Sequence, residues 1–443
     1  MTGAHALGVL ALVRRHFFPN LNSWIDHLRD PRRPDLCTYT LRHLLWSGLL
    51  MLLGGGGSRL QHVSDTLDAG FLRALLALCG TGEGTAAHHP GTLNHLLMHL
   101  ASPQLLLLNV LMVRRLLRTR CLERFRFGAE WLVAVDGVEI RTYARQHCAG
   151  CLHRRLSNGK VQYFHSILEA KLILGNGMVV SLCSVPLLNE PHGYSKQDCE
   201  LKAFERLADR LRQLFPKLRM CLLMDGMFGC EPVFRRCREM GWSHITVFKE
   251  GRAPTRWKQA LEECDRHPGN RKTVARKDGT VQQFAWATGL RHGAETVHAV
   301  RCAETDPQGK TTHWAWISDH RPDRHNVDIL ANKGGRLRWK IENEGFNVQK
   351  NGGIRLKHDY GSQGNAWYNY YLLAQIAHLL LQLCWLGDAI RTVTGAACAT
   401  MATAFGTVRN FAERLRREVC AGTGPPPGGR IAAAAIQIRF SSA

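Results

Sequence analysis

Two short apolar runs each end in the dipeptide Asp-Gly: WLVAVDG, carrying Asp136, and CLLMDG, carrying Asp225. Their length and apolar, partly β-branched make-up predict buried strands, and an acid at the end of such a strand stands at the rim of the sheet. Between them lie YFHSILEAKLIL and GMVVSLCSVPL, joined by a Gly-Asn-Gly turn signal. The stretch KQDCELKAFERLADRLRQLF follows, with Leu201, Phe204, Leu207, Leu211 and Leu214 at helical spacing. After CLLMDG come a helical pattern, EPVFRRCREMG, and a last strand, HITVF. The chain is thereby directed to an α/β fold in which three antiparallel strands precede a helix, a strand, a helix and a strand.

If the two Asp-Gly strands are neighbours, Asp136 and Asp225 converge. Converging carboxylates repel and need a cation, and hard oxygen ligands favour Mg²⁺ or Mn²⁺. The alternative is that each acid only caps a turn.

A third acid is sought in RLRWKIENEGFNVQK, Arg336 to Lys350, which holds Glu342 and Glu344. On a regular α-helical wheel the two fall on different faces. Glu342 lies in an apolar arc with Trp339, Phe346, Ile341 and Val348, one turn after Arg338; Glu344 joins Lys340 on the polar sector. A carboxylate in an apolar arc needs a positive partner, either a metal ion or Arg338 in a structural ion pair. Asp319, ending the apolar run before HRPD, is a rival third acid, although turn capping suffices for it.

Around this core the sequence falls into five segments. Residues 1–128 read as helical and leucine-rich, with Arg114, Arg115 and Arg118 near the end, either a solvated helix face or an arm for phosphates. Residues 129–250 carry the strands above, and 251–325 form a β-rich insertion subdomain. Residues 326–395 return to the core with the Glu342 helix, and 396–443 hold a helix and a tail containing the linker-like GTGPPPGGR. In the insertion, Trp286, Trp314 and Trp316 recur at strand period, as core or as stacking platforms for a base.

The chain has 443 residues with 58 Lys+Arg against 36 Asp+Glu, a formal charge of +22 that favours a polyanion such as nucleic acid. The apolar stretches Leu44 to Gly57 and Tyr370 to Gly387 read as buried helices, one too short and the other interrupted by Gln375, His378 and Gln382. No secretory pattern opens the chain, and the 15 scattered cysteines suit reduced thiols, so a cytoplasmic, nucleoid-associated protein without a membrane partner is expected. Cys148 and Cys151, in HCAGCLHRR, form half a zinc site or a pair of reduced thiols. His165 and His192 read as isolated. No phosphate-binding glycine loop accompanies a helix start.

Taken together, these residues resemble the RNase H-like DDE transposases of bacterial insertion sequences. The resemblance runs from about Trp131 to Leu381 and is carried by the two strand-end acids, the helix-borne Glu342 after a β insertion, KQDCELKAFERLADRL, and RWKIENEGF. It implies a metal-binding triad of Asp136, Asp225 and Glu342, with Arg338 holding a phosphate of double-stranded DNA. It further implies cleavage at transposon terminal inverted repeats, strand transfer into target DNA, and a homodimer on paired ends. In the family's Tyr-Arg-Glu-Lys signature, the tyrosine position is here Gly335 and the lysine position Gln349, with Lys350 beside it. A nuclease of the same fold that does not join ends, or a non-catalytic DNA-binding derivative, are the competing expectations.

Overall fold

The computed structural model describes residues 5–56, 58–81, 88–190, 193–352, 354, 356, 360–422 and 436–439. His192 and the linker-like stretch from Thr423 onward lie outside the described residues. The chain is mixed α/β and divides into two compact units. One comprises residues 1–124, 176–182 and 343–443; the other comprises 125–175 and 183–342.

The first unit is helical. Its centre is the helix Ala366–Leu386, apolar all round and buried along nearly its whole length, as a helix enclosed on every side must be. It packs against Ala6–Phe17, Leu41–Leu53, Pro90–His99 and Ser102–Arg118. Gln375 and Gln382, two of the polar residues that break its apolar run, are satisfied internally. Gln349 donates to Gln375 at 2.7 Å, and Gln382 donates to the Val179 carbonyl at 2.7 Å and accepts from the Val179 N–H. Among the described residues no single helix is long and apolar enough to cross a membrane; Pro90–His99 and Ser102–Arg118 reach that composition only as a pair bent by 96°.

The second unit is built on a sheet whose strands, in chain order, are β1 (Trp131–Tyr143), β2 (Leu152–Arg155), β3 (Val161–Ile173), β4 (Val179–Leu187, in this unit from Cys183), β5 (Met220–Met224), β6 (Ser243–Val247), β7 (Arg271–Ala275), β8 (Val281–His292), β9 (Glu295–Thr305) and β10 (Thr311–Ser318). They form one ten-stranded sheet in the order β2-β3-β1-β5-β6-β10-β9-β8-β7, with β4 also paired to β3. β1 is antiparallel to β3 and parallel to β5, and β5 is parallel to β6. The turn between β3 and β4 is the Gly-Asn-Gly segment, where Gly177 has φ +90°. The HCAGCLHRR stretch ends in β2. The segment 251–325 carries the helix Pro254–Arg266 and strands β7 to β10, and β10 lies antiparallel against β6, so the insertion prolongs the same sheet.

The stretch from Val327 to Asn351 departs from the regular α-helix assumed on the wheel. It passes from a short α turn through π turns at Leu330–Gly334, a 3₁₀ turn at Gly335–Trp339 and π turns at Ile341–Asn347 before a final α turn. The cause is close packing. A Cβ on Gly334 would press within 2.6 Å of the Ile245 side chain, and one on Gly335 would collide with the indole of Trp316. The backbone is drawn onto the sheet at two residues that hold helical geometry weakly.

Candidate functional site

The parallel register of β1 and β5 pairs Val135 with Met224, so the residues that follow, Asp136 and Asp225, stand side by side where β5 ends; Asp136 does not close its strand as expected from sequence, since β1 continues along β3 to Tyr143. Asp136 accepts from the N–H of Gly137 at 3.0 Å. Its other oxygen takes a hydrogen bond from Arg338 at 3.2 Å, and the same Arg338 nitrogen lies 2.9 Å from Glu342. Arg338 is buried, with its guanidinium over the Trp339 ring at 4.7 Å. The i, i+4 ion pair of Arg338 with Glu342, the alternative to a metal partner in the sequence reading, therefore forms, and Asp136 joins it.

Glu342 and Asp136 are brought to the same guanidinium nitrogen, 2.9 and 3.2 Å from it. Burial pushes the Asp136 carboxyl up to about 7; Arg338 opposes the shift, while Glu342 and Glu200 add to it. This is the behaviour of an acid in a pocket whose negative potential is incompletely neutralised.

Glu200 was not singled out in the sequence. It opens the helix Glu200–Leu214 and is raised above the ordinary carboxylate range by burial and then by the charge of Asp225. A Cβ on Gly137 would collide with the Glu200 carboxylate, so the glycine of this Asp-Gly pair is what admits the fourth acid. The available signal was its position: Glu200 heads the buried stripe of Ala203, Phe204, Leu207 and Leu211, whereas Leu201 lies exposed. Lys249, just past β6, was also missed; its ammonium is 3.5 Å from Asp225.

Four carboxylates, Asp136, Glu200, Asp225 and Glu342, thus gather around two cations, Arg338 and Lys249. The acids do not close on one point. Among the described residues, the groups that bring three ligand atoms within 4.8 Å of one another are Cys148, Cys151 and His165, and Glu130, Cys221 and His320. The donor set suits hard divalent cations by its excess negative charge, with Arg338 bridging Asp136 and Glu342 and Lys249 beside Asp225.

The remaining candidates separate. Asp319 accepts from the backbone N–H of His244 at 2.8 Å, fixing the start of β6, and is not drawn into the acid cluster. Glu344, expected to be solvated, is half-buried with one carboxylate oxygen sealed from solvent. Trp286 and Trp316 are buried, and Trp314 stacks parallel to Trp316 beneath the Arg336 guanidinium, so core packing accounts for all three. Gly335 has no room for the tyrosine of the signature because the Trp316 indole fills that space. Gln349 is fully buried in the helical unit, which excludes it from DNA contact at this position. Lys350 lies in the same unit, as do Arg114, Arg115 and Arg118 near the end of Ser102–Arg118, where Arg118 is exposed and the other two half-buried.

His165, read as isolated, is instead held against Cys148 and Cys151, 3.2 and 3.4 Å from their sulfurs.

Set against known proteins, the chain matches no family model and no curated protein.

Proposed function

We propose that this chain is a metal-dependent phosphodiester-transfer enzyme of the DDE transposase type, with an RNase H-like core. The observation that carries the reading is the meeting of Asp136 and Asp225, on adjacent parallel strands, with Glu342 from a helical segment that follows a strand-rich insertion. The strand order β4-β3-β1-β5-β6, with β1 antiparallel to β3 and parallel to β5, supports the same reading.

In this reading Asp136, Asp225 and Glu342 hold Mg²⁺ or Mn²⁺, which when bound supplies activation of a nucleophile and charge stabilisation of the leaving oxygen. Glu200 orients Asp136 and Asp225 through their shared field. Arg338, released from the Asp136 and Glu342 carboxylates, becomes available to a phosphate, for which its planar fork is suited. The net charge of +22 assists capture of DNA. The substrate is double-stranded DNA carrying terminal inverted repeats, with a homodimer spanning paired ends.

One observation favours a second reading, hydrolysis without joining. The signature positions for tyrosine and lysine are held by Gly335 under Trp316 and by the buried Gln349, so the grip those side chains give to DNA ends is lacking there. Supplying pre-cut ends, a target plasmid and Mg²⁺ or Mn²⁺ separates the two: joined products support transposition, and cleavage of uncut ends with no joining under any divalent ion supports the nuclease.

A further inference from the structure

The geometry points to a zinc site at Cys148, Cys151 and His165 that pins the connection after β1 onto β3, independently of the nucleic-acid reading. Three soft or borderline donor atoms converge there. The two sulfurs are 3.4 Å apart, and His165 Nε2 is 3.2 Å from Cys148 Sγ and 3.4 Å from Cys151 Sγ. In a tetrahedral zinc centre with bonds of about 2.3 Å to sulfur and about 2.0 Å to nitrogen, the corresponding edges are about 3.8 Å and about 3.5 Å. The three donors therefore need to open by only a few tenths of an ångström. A sulfur separation of 3.4 Å is far beyond the disulfide bond of about 2.05 Å, and both cysteines are free thiols.

The surroundings are those of a ligand set. The Cys-x-x-Cys segment closes as a turn, Cys151 N–H to Cys148 carbonyl at 3.2 Å. A backbone N–H addresses one of the sulfurs: Cys148 N–H donates to Cys151 Sγ at 3.3 Å. His165 is buried and its Nδ1 is engaged by the Tyr143 hydroxyl at 3.3 Å, leaving Nε2 turned toward the sulfurs, the outer hydrogen bond that orients a metal-bound imidazole. Cys148 is exposed while Cys151 and His165 are buried, so the fourth corner of the tetrahedron faces outward beside His147, whose ring lies 6.2 Å from that of His165.

The antiparallel register explains how residues far apart in sequence meet. β1 and β3 pair Tyr143 with Tyr163, which brings His165 beneath the segment that leaves β1. A metal here ties residues 144–151 to that ribbon.

The test uses the full-length protein, purified without chelator and dialysed exhaustively, with zinc measured by mass spectrometry of the metal. Close to one zinc per chain is expected in wild type and in Glu342→Gln, and less than a tenth of that in Cys148→Ser and Cys151→Ser. Replacement by cobalt(II) in wild type should give a thiolate-to-metal charge-transfer band, which decides the matter even where a serine variant fails to fold. Absence of zinc from folded wild type, a Cys148–Cys151 disulfide in its place, zinc retained by Cys148→Ser,Cys151→Ser, or a cobalt spectrum without the thiolate band each overturns the site.

Discussion

The β1–β3 ribbon carries two clusters of potential metal ligands, and they are built on opposite plans. At the thiol end, Cys148, Cys151 and His165 lie within 3.4 Å of one another, two of them buried, with backbone and Tyr143 hydrogen bonds fixing their orientation. At the carboxylate end the acids come from separate elements, with Arg338 bridging Asp136 and Glu342 and Lys249 beside Asp225. The first cluster is organised by geometry before any ion arrives, as a permanent structural site requires. The second is organised by charge, and its partners must rearrange to admit a cation, which suits a site whose ions come and go with substrate. The difference teaches that compactness alone is a poor guide to a catalytic metal centre, since an uncompensated field on a buried acid marks the wider cluster equally well.

The largest effect should fall on the carboxylate end. Asp136→Asn or Asp225→Asn should lower phosphodiester cleavage by ~10³-fold or more, as removal of a ligand to a catalytic metal forfeits several kcal/mol of transition-state stabilisation. Retained cleavage in Asp136→Asn would leave the carboxylate cluster with no special role. Removing the loosely held ions sharpens the contrast: dialysis into buffer free of divalent ions should abolish cleavage, Mg²⁺ in excess should restore it, and the zinc content should stay unchanged throughout, read by activity and metal analysis on the same sample. Glu200→Gln should reduce cleavage by about 10- to 100-fold and raise the Mg²⁺ concentration needed for half-maximal rate, the pattern of a residue acting through the ligands.

A smaller effect separates charge from packing in the helical stretch that carries Glu342. Gly335→Ala should destabilise the protein by about 1–3 kcal/mol in denaturant unfolding, because the added methyl meets the Trp316 indole. Wild-type stability there would mean that the close approach relaxes freely.

A further contrast lies in pH dependence. With the Asp136 carboxyl near 7 when folded and at its ordinary lower value when unfolded, the unfolded chain ionises first as pH rises. Asp136 therefore subtracts stability progressively from about pH 4 to about pH 7, in full above that. Without divalent ions, Asp136→Asn should melt higher than wild type at pH 8, with the difference shrinking toward pH 4. A constant or inverted difference would show that Arg338 already compensates the charge.

Asp136 and Asp225 were legible in the sequence because an acid closing an apolar run has few places to go, and the register of two parallel strands does the rest. The strands and helices of the core were legible for the same reason, since period and turn residues are local properties. That β10 returns to lie against β6, making one sheet of the core and the insertion, was not, because strand neighbours are a long-range choice. Glu342 was found with the right partner, Arg338, on the wrong geometry: the wheel assumed a regular helix, while Gly334 and Gly335 are pulled onto Ile245 and Trp316. Glu200 and His165 escaped because each meets its partners only through tertiary packing, one over Gly137 and the other across the β1–β3 register.

The central claim is that the acids at the rim of β1 and β5 form a divalent-cation centre for cutting DNA. It is tested most directly by incubating purified wild type and Asp136→Asn with DNA that spans the gene and its flanks, searched for terminal inverted repeats, across a titration of Mg²⁺ and Mn²⁺. The account predicts metal-dependent cleavage at the repeat ends by wild type, and none by Asp136→Asn despite undiminished DNA binding. Equal cleavage by both proteins, or none by folded wild type with either ion, would contradict it.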